Sequence, residues 1–143
     1  MIAASLLSGC ADSSRPPRTA TQTAEPSVSV GAFDHSGPSN DKTYVVCWSA
    51  TPAPLPLNEM FDVKFSVVDS AGRVVSSTTE VFVDAAMPSH GHGMNTRPRV
   101  QRNADGTHTA RGLLFHMAGH WELYFDITAG DVTERAQFGL ELE

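Results

Sequence analysis

The chain has only two cysteines in 143 residues, Cys10 and Cys47, so if Cys10 is acylated no intramolecular disulfide is available to hold it together. Stability must come from a packed core. No stretch approaches the ~20 apolar residues of a membrane-spanning helix, so membrane attachment is expected by lipid anchor alone. Basic residues are few, 10 against 16 acidic ones for a net charge of −6, and they gather into no patch. That balance argues against nucleic acid as a partner. Apolar positions nowhere keep a convincing 3.6-residue period, so little helix is expected.

What the chain does have is short, alternating, β-rich segments. Residues 42–49, 60–69, 73–77, 79–84, 97–102, 107–115, 120–128 and 133–142 are each rich in Val, Phe, Tyr, Trp or Thr and read as strands. Turn signals separate them at Ser70-Ala71-Gly72, at Asn103-Ala104-Asp105-Gly106 and at Ala129-Gly130-Asp131. Phe61, Val63, Phe65 and Val67 alternate with polar or outward positions, as do Trp121, Leu123, Phe125 and Ile127, which gives each strand one core face. The fold expected over 41–143 is all-β, an antiparallel Greek-key sandwich of the immunoglobulin or cupredoxin type. Near Gly112 the apolar phase slips from His108 and Ala110 to Leu113, Phe115 and Met117, which predicts a bulge. His108 then lies on the core face as a structural residue. Cys47, inside the run Tyr44-Val45-Val46-Cys47-Trp48, reads as core rather than ligand.

The N-terminus carries a compartment signal. Leu6-Leu7-Ser8-Gly9-Cys10 has the form of a lipobox and resembles the bacterial lipoprotein signal, which implies a signal over 1–10 and a lipidated Cys10. No Lys or Arg precedes it, a departure from the usual secretory n-region. Residues 11–40 are rich in Ser, Thr, Pro, Ala and Gly, and read as a flexible linker in which His35 is simply solvated. Such a coil reaches roughly 30 Å. The expected setting is the bacterial cell envelope, with the domain lipid-anchored and facing the periplasm.

The chemistry concentrates in Met87-Pro88-Ser89-His90-Gly91-His92-Gly93-Met94, two imidazoles and two thioethers within eight residues. Soft sulfur beside borderline nitrogen suits copper, Cu(I) ahead of Cu(II), with zinc behind both; hard cations would demand oxygen ligands. In extended backbone His90, His92 and Met94 point the same way, and a bend at Pro88 brings Met87 round to them. The segment Phe115-His116-Met117-Ala118-Gly119-His120-Trp121 adds Met117 and then His116 as further candidates. It forms a corner between two strands, so both clusters can meet at one pole of a sandwich. His116 and His120 share one parity, opposite to Met117, so at least one of them should face solvent.

These two segments, together with Asp84-Ala85-Ala86 before the first, Asp105-Gly106-Thr107 between them and Gly112-Leu113-Leu114 before the second, resemble the YtkA-like domain family, relatives of FixH. The shared parts are the MP-x-H-x-H-x-M and Phe-x-Met-x-Gly-x-Trp patterns. The resemblance implies a small secreted or membrane-anchored immunoglobulin-like domain connected with copper handling and oxidase assembly. His108 stands where the resemblance calls for an aromatic.

The expected function is therefore a copper-binding periplasmic lipoprotein that buffers or transfers copper, with a copper-receiving or copper-exporting membrane protein as partner. The alternative is a β-sandwich without metal that docks on a membrane complex through its loops. An enzyme is not expected. No carboxylate lies within 87–94 to act as general base, and no cysteine sits between the histidine and methionine ligands as a blue-copper site requires.

Overall fold

The computed structural model describes residues 32–143. The lipobox with Cys10, and residues 11–31 of the expected linker, lie outside the described residues. Among those described, nine strands build two antiparallel sheets. β1 (His35–Pro38), β2 (Tyr44–Thr51), β3 (Met60–Asp69), β6 (Arg99–Arg102) and β7 (His108–Leu114) form one sheet in the order β1-β2-β3-β7-β6. β4 (Glu80–Met87), β5 (His92–Gly93), β8 (Gly119–Ala129) and β9 (Val132–Leu142) form the other in the order β5-β4-β8-β9. The chain changes sheet between β3 and β4, β5 and β6, and β7 and β8, and the result is the expected antiparallel Greek-key sandwich. No helix among the described residues is long and apolar enough to cross a membrane.

The core follows the alternation of the two longest apolar strands. Phe61, Val63, Phe65 and Val67 of β3 and Trp121, Leu123, Phe125 and Ile127 of β8 are all buried. Phe65 meets Phe125 edge-on with ring centres 5.0 Å apart across the sandwich. Burial of each such side chain is worth about 1.5–3 kcal/mol. The β3–β7 register shifts between Phe61 and Asp62, and the additional residue opposite is Gly112, at φ 84°. Its N–H donates to Asp62 Oδ1 at 3.2 Å, so the bulge leaves no donor wasted. This bulge keeps Ala110 and Leu113 both on the buried face.

The structure differs from the sequence expectation in four places. β1 lies inside the stretch read as linker, and His35, expected to be merely solvated, stacks on Trp48 at 4.1 Å. Ser, Gly and Pro are poor strand formers, but the segment is held by tertiary bonds: Ser39 Oγ donates to Glu134 Oε2 at 2.7 Å, and Asn40 N–H to the Arg135 carbonyl at 2.8 Å. Residues 73–77 form no strand beyond an isolated bridge from Val74 to Val68. After Val75 a turn closed by Thr79 N–H and the Ser76 carbonyl redirects the chain. β4 runs on past Asp84 to Met87, and the two-residue β5 follows it.

The strand directions sort the connections into two poles. Loops 52–59, 88–91 and 115–118 lie at one, beside the Leu142 end of β9; the turns at 39–43, 70–79, 103–107 and 130–131 lie at the other. His108 belongs to the second pole. It is 3% exposed and stacks nearly parallel on Phe65 at 5.1 Å, occupying an aromatic's place in the core. Burial, helped by the Arg102 charge, pushes its pKa down to about 4. Cys47 is buried as expected, and burial pushes its thiol up.

Candidate metal centre

The alternation of β4 sends Val83, Ala85 and Met87 inward, so Met87 arrives at the first pole as the last inward residue of its strand. Pro88 then opens a short 3₁₀ turn, Pro88–His90, and Gly91 reverses the chain at φ 68° with its N–H bonded to the Met87 and Pro88 carbonyls. The returning strand pairs Met87 with His92 and Ala86 with Gly93, and Met94 N–H continues the ladder to the Ala85 carbonyl at 3.1 Å. Residues directly opposed in antiparallel strands share a face. His92 is thus set beside Met87 by strand pairing, which performs the task that parity alone denied to Met87.

The 115–118 corner supplies the other side of the site. The His92 ring centre lies 5.1 Å from that of His116 and 5.8 Å from that of His90. Both His92 and His116 stand roughly perpendicular to the Trp121 indole, at 6.1 and 5.4 Å. Trp121 is fully buried, stacks on Phe115 at 4.7 Å, and donates its indole N–H to the Met117 carbonyl at 2.9 Å. It is a rigid floor fixed from two sides.

The hydrogen bonds of the two central imidazoles define what they can offer. His92 Nδ1 lies 3.2 Å from the Gly93 carbonyl, which can only accept, so the proton is on Nδ1 and the lone pair of the neutral ring is on Nε2. His116 Nδ1 is buried and has no hydrogen-bond partner. A buried polar atom left in that state costs about 1–3 kcal/mol. Two imidazoles sharing one ion through bonds of about 2.0–2.1 Å have ring centres roughly 5–6 Å apart, a range that includes the observed His92–His116 spacing.

The remaining candidates are placed unequally. His90 is exposed at the outer end of the imidazole row. Met87 is fully buried, and Met94 is half-buried against the core. Met117 is 37% exposed, and its carbonyl rather than its sulfur is engaged. His120, one residue before Trp121, faces outward and bonds Glu141 Oε1 through Nδ1 at 2.6 Å, as the parity argument required of at least one corner histidine. Among the described residues no group of three or more His, Cys, Asp or Glu side chains is gathered closely enough to hold a metal ion. What the corner gathers is two adjacent imidazoles and a third beyond them, with Met87 paired to His92 through the backbone. Sequence reasoning put Met117 ahead of His116, but the ring contacts bring His116 to the cluster.

No family model matches the chain, and no curated protein matches it. The likeness to YtkA-like domains therefore rests on the two sequence segments alone. Among solved structures, the chain is similar to a DUF4426 family protein from Pseudomonas aeruginosa PAO1, with a TM-score of 0.53 and 10% identity over 76% of this chain and 96% of that one. At that identity the likeness speaks for the β fold and nothing finer.

Proposed function

We propose that this domain binds copper, Cu(I) above Cu(II), at the pole where His92 and His116 meet, and that it buffers the ion or hands it to a membrane protein. One observation carries the reading: two imidazoles 5.1 Å apart over a buried indole, one of them with a buried nitrogen that has no partner. A buried ring nitrogen without a partner is satisfied by an ion as well as by a hydrogen bond. The β4–β5 pairing sets Met87 opposite His92 and brings Met94 two residues after it, while Met117 and His90 are exposed on the neighbouring loops. Such a set suits a soft monovalent ion, which two to four soft or borderline donors can satisfy. A zinc site would draw on three or four histidine, cysteine or carboxylate ligands. Catalysis has no part in this proposal.

The same reading makes the chain a lipoprotein of the bacterial envelope, anchored by lipid at Cys10, with the sandwich in the periplasm. The test is an anaerobic Cu(I) competition titration of the purified chain against a chelator of known affinity. Binding of one equivalent that outcompetes the chelator supports the proposal. Failure to compete, for Cu(I) and Cu(II) alike, would overturn it and favour the docking module without metal.

A further inference from the structure

A concave site opens at the same pole on the opposite edge of the sandwich, where β1 and β2 face β9. It is a cleft of about 680 Å³, within the range of small-molecule sites. Its walls are Leu55 and Leu57 from the 52–59 loop and Leu140 and Leu142 from β9. Trp48, fully buried, forms the floor with His35 stacked on it. At the mouth the character reverses. Asp34, Glu141 and Glu143 are exposed and line the cleft, and among the described residues no Lys or Arg does so.

We propose that this cleft binds a small amphiphilic organic cation, an aliphatic chain carrying an ammonium head. The leucine walls remove the chain from water at about 0.8 kcal/mol for each buried methylene. The carboxylates favour a positive head, disfavour a negative one, and leave a neutral one between. Glu141 already accepts a hydrogen bond from His120, so its second oxygen and Asp34 are the natural partners of the head group. The site uses none of the proposed copper donors, and the two proposals stand or fall separately.

The test uses the full chain, with hexylammonium, hexanol and hexanoate as probes, followed by NMR of the leucine methyls and of the two indole N–H signals. The expected result is saturable shifts at Leu55, Leu57 and the Trp48 indole, with Trp121 unmoved as an internal control. Hexylammonium should bind about fivefold more tightly than hexanol, and hexanoate more weakly than both, since two exposed ion pairs are worth only a modest factor. The Asp34→Asn/Glu141→Gln variant should bind hexanol as before and lose the preference for the ammonium. Equal binding of all three probes, or an unchanged preference in that variant, overturns the charge argument. Absence of saturable shifts overturns the site, as does concentration-dependent self-association abolished by Leu57→Asp, which would make a second copy the occupant.

Discussion

The two poles of the sandwich treat their histidines in opposite ways. At one, His108 is buried singly against Phe65, and its Nδ1 has no partner. At the other, His116 also has a partnerless buried Nδ1, but it lies 5.1 Å from His92, which itself neighbours His90. An orphaned nitrogen alone is thus not a candidate site; company makes it one. The surroundings reinforce the contrast. Around His108 the turns satisfy themselves: Asp69 accepts from the Ala71 and Arg73 backbone and from the Arg73 guanidinium, and Asp105 accepts from Thr107 N–H and Oγ1. Those bonds hold both carboxyls below the usual range, the Arg73 and Thr107 contacts contributing most. The first pole gathers imidazoles, and one of their ring nitrogens, His116 Nδ1, keeps bonding capacity left over.

The largest expected effect tests the floor that the paired histidines share. Trp121→Ala should cost about 3–5 kcal/mol in denaturant unfolding, because it removes a fully buried indole and frees the Met117 carbonyl. A loss below about 1 kcal/mol would show that the indole is not the floor. Next comes the solitary histidine. The pKa of His108 falls from the ordinary 6.5 to about 4 in the folded state, so between those values the unfolded chain binds the additional proton. Its contribution is fully present above pH 6.5 and is lost as pH falls toward 4, by at most about 3 kcal/mol. The carboxyls held low also lose stability in acid, so the comparison must be made with His108→Phe, which should flatten the curve between pH 6.5 and 5. Identical pH profiles for the two proteins would place the acid sensitivity elsewhere.

The third effect bears on function. His92→Ala with His116→Ala should weaken Cu(I) binding at least about hundredfold, equivalent to about 2.7 kcal/mol, while His108→Phe leaves it unchanged. Equal loss in both variants would mean that copper is bound without regard to the pairing of imidazoles.

Much of this was legible in the sequence, and the reasons are specific. The strict alternation in 60–69 and 120–128 declared the core faces, because a period of two can bury only one side of a strand. The slip at Gly112 declared its bulge. The meeting of 87–94 with 115–121 followed from both being corners. What was hidden was long-range. β1 has no strand-forming residues and is ordered by partners as distant as Glu134, so no local rule could find it. His116 looked inferior to Met117 because parity within one corner says nothing of which ring will face a loop from another strand pair. His35 was lost with β1, since its ring is held by Trp48 in the neighbouring strand.

The smallest effect separates the poles by their glycines. Gly119 has φ 118°, and a Cβ there would lie 3.2 Å from Met87 Cε, inside a fully buried side chain with little room to yield. Gly72, in the opposite turn, has φ 77° and nothing within 4 Å of such a Cβ. Both substitutions to alanine carry the backbone cost of a positive φ, about 1 kcal/mol or somewhat more. Only Gly119→Ala adds a steric one, so it should lose about 2 kcal/mol against about 1 for Gly72→Ala in the same unfolding assay. The pair isolates the packing around Met87 from backbone strain. If the two losses match, Met87 shifts freely, and the first pole is looser than its buried thioether implies. If they differ as expected, the β4 end is a fixed wall, and the Met87 side chain is held in place at the pole that carries His92 and His116.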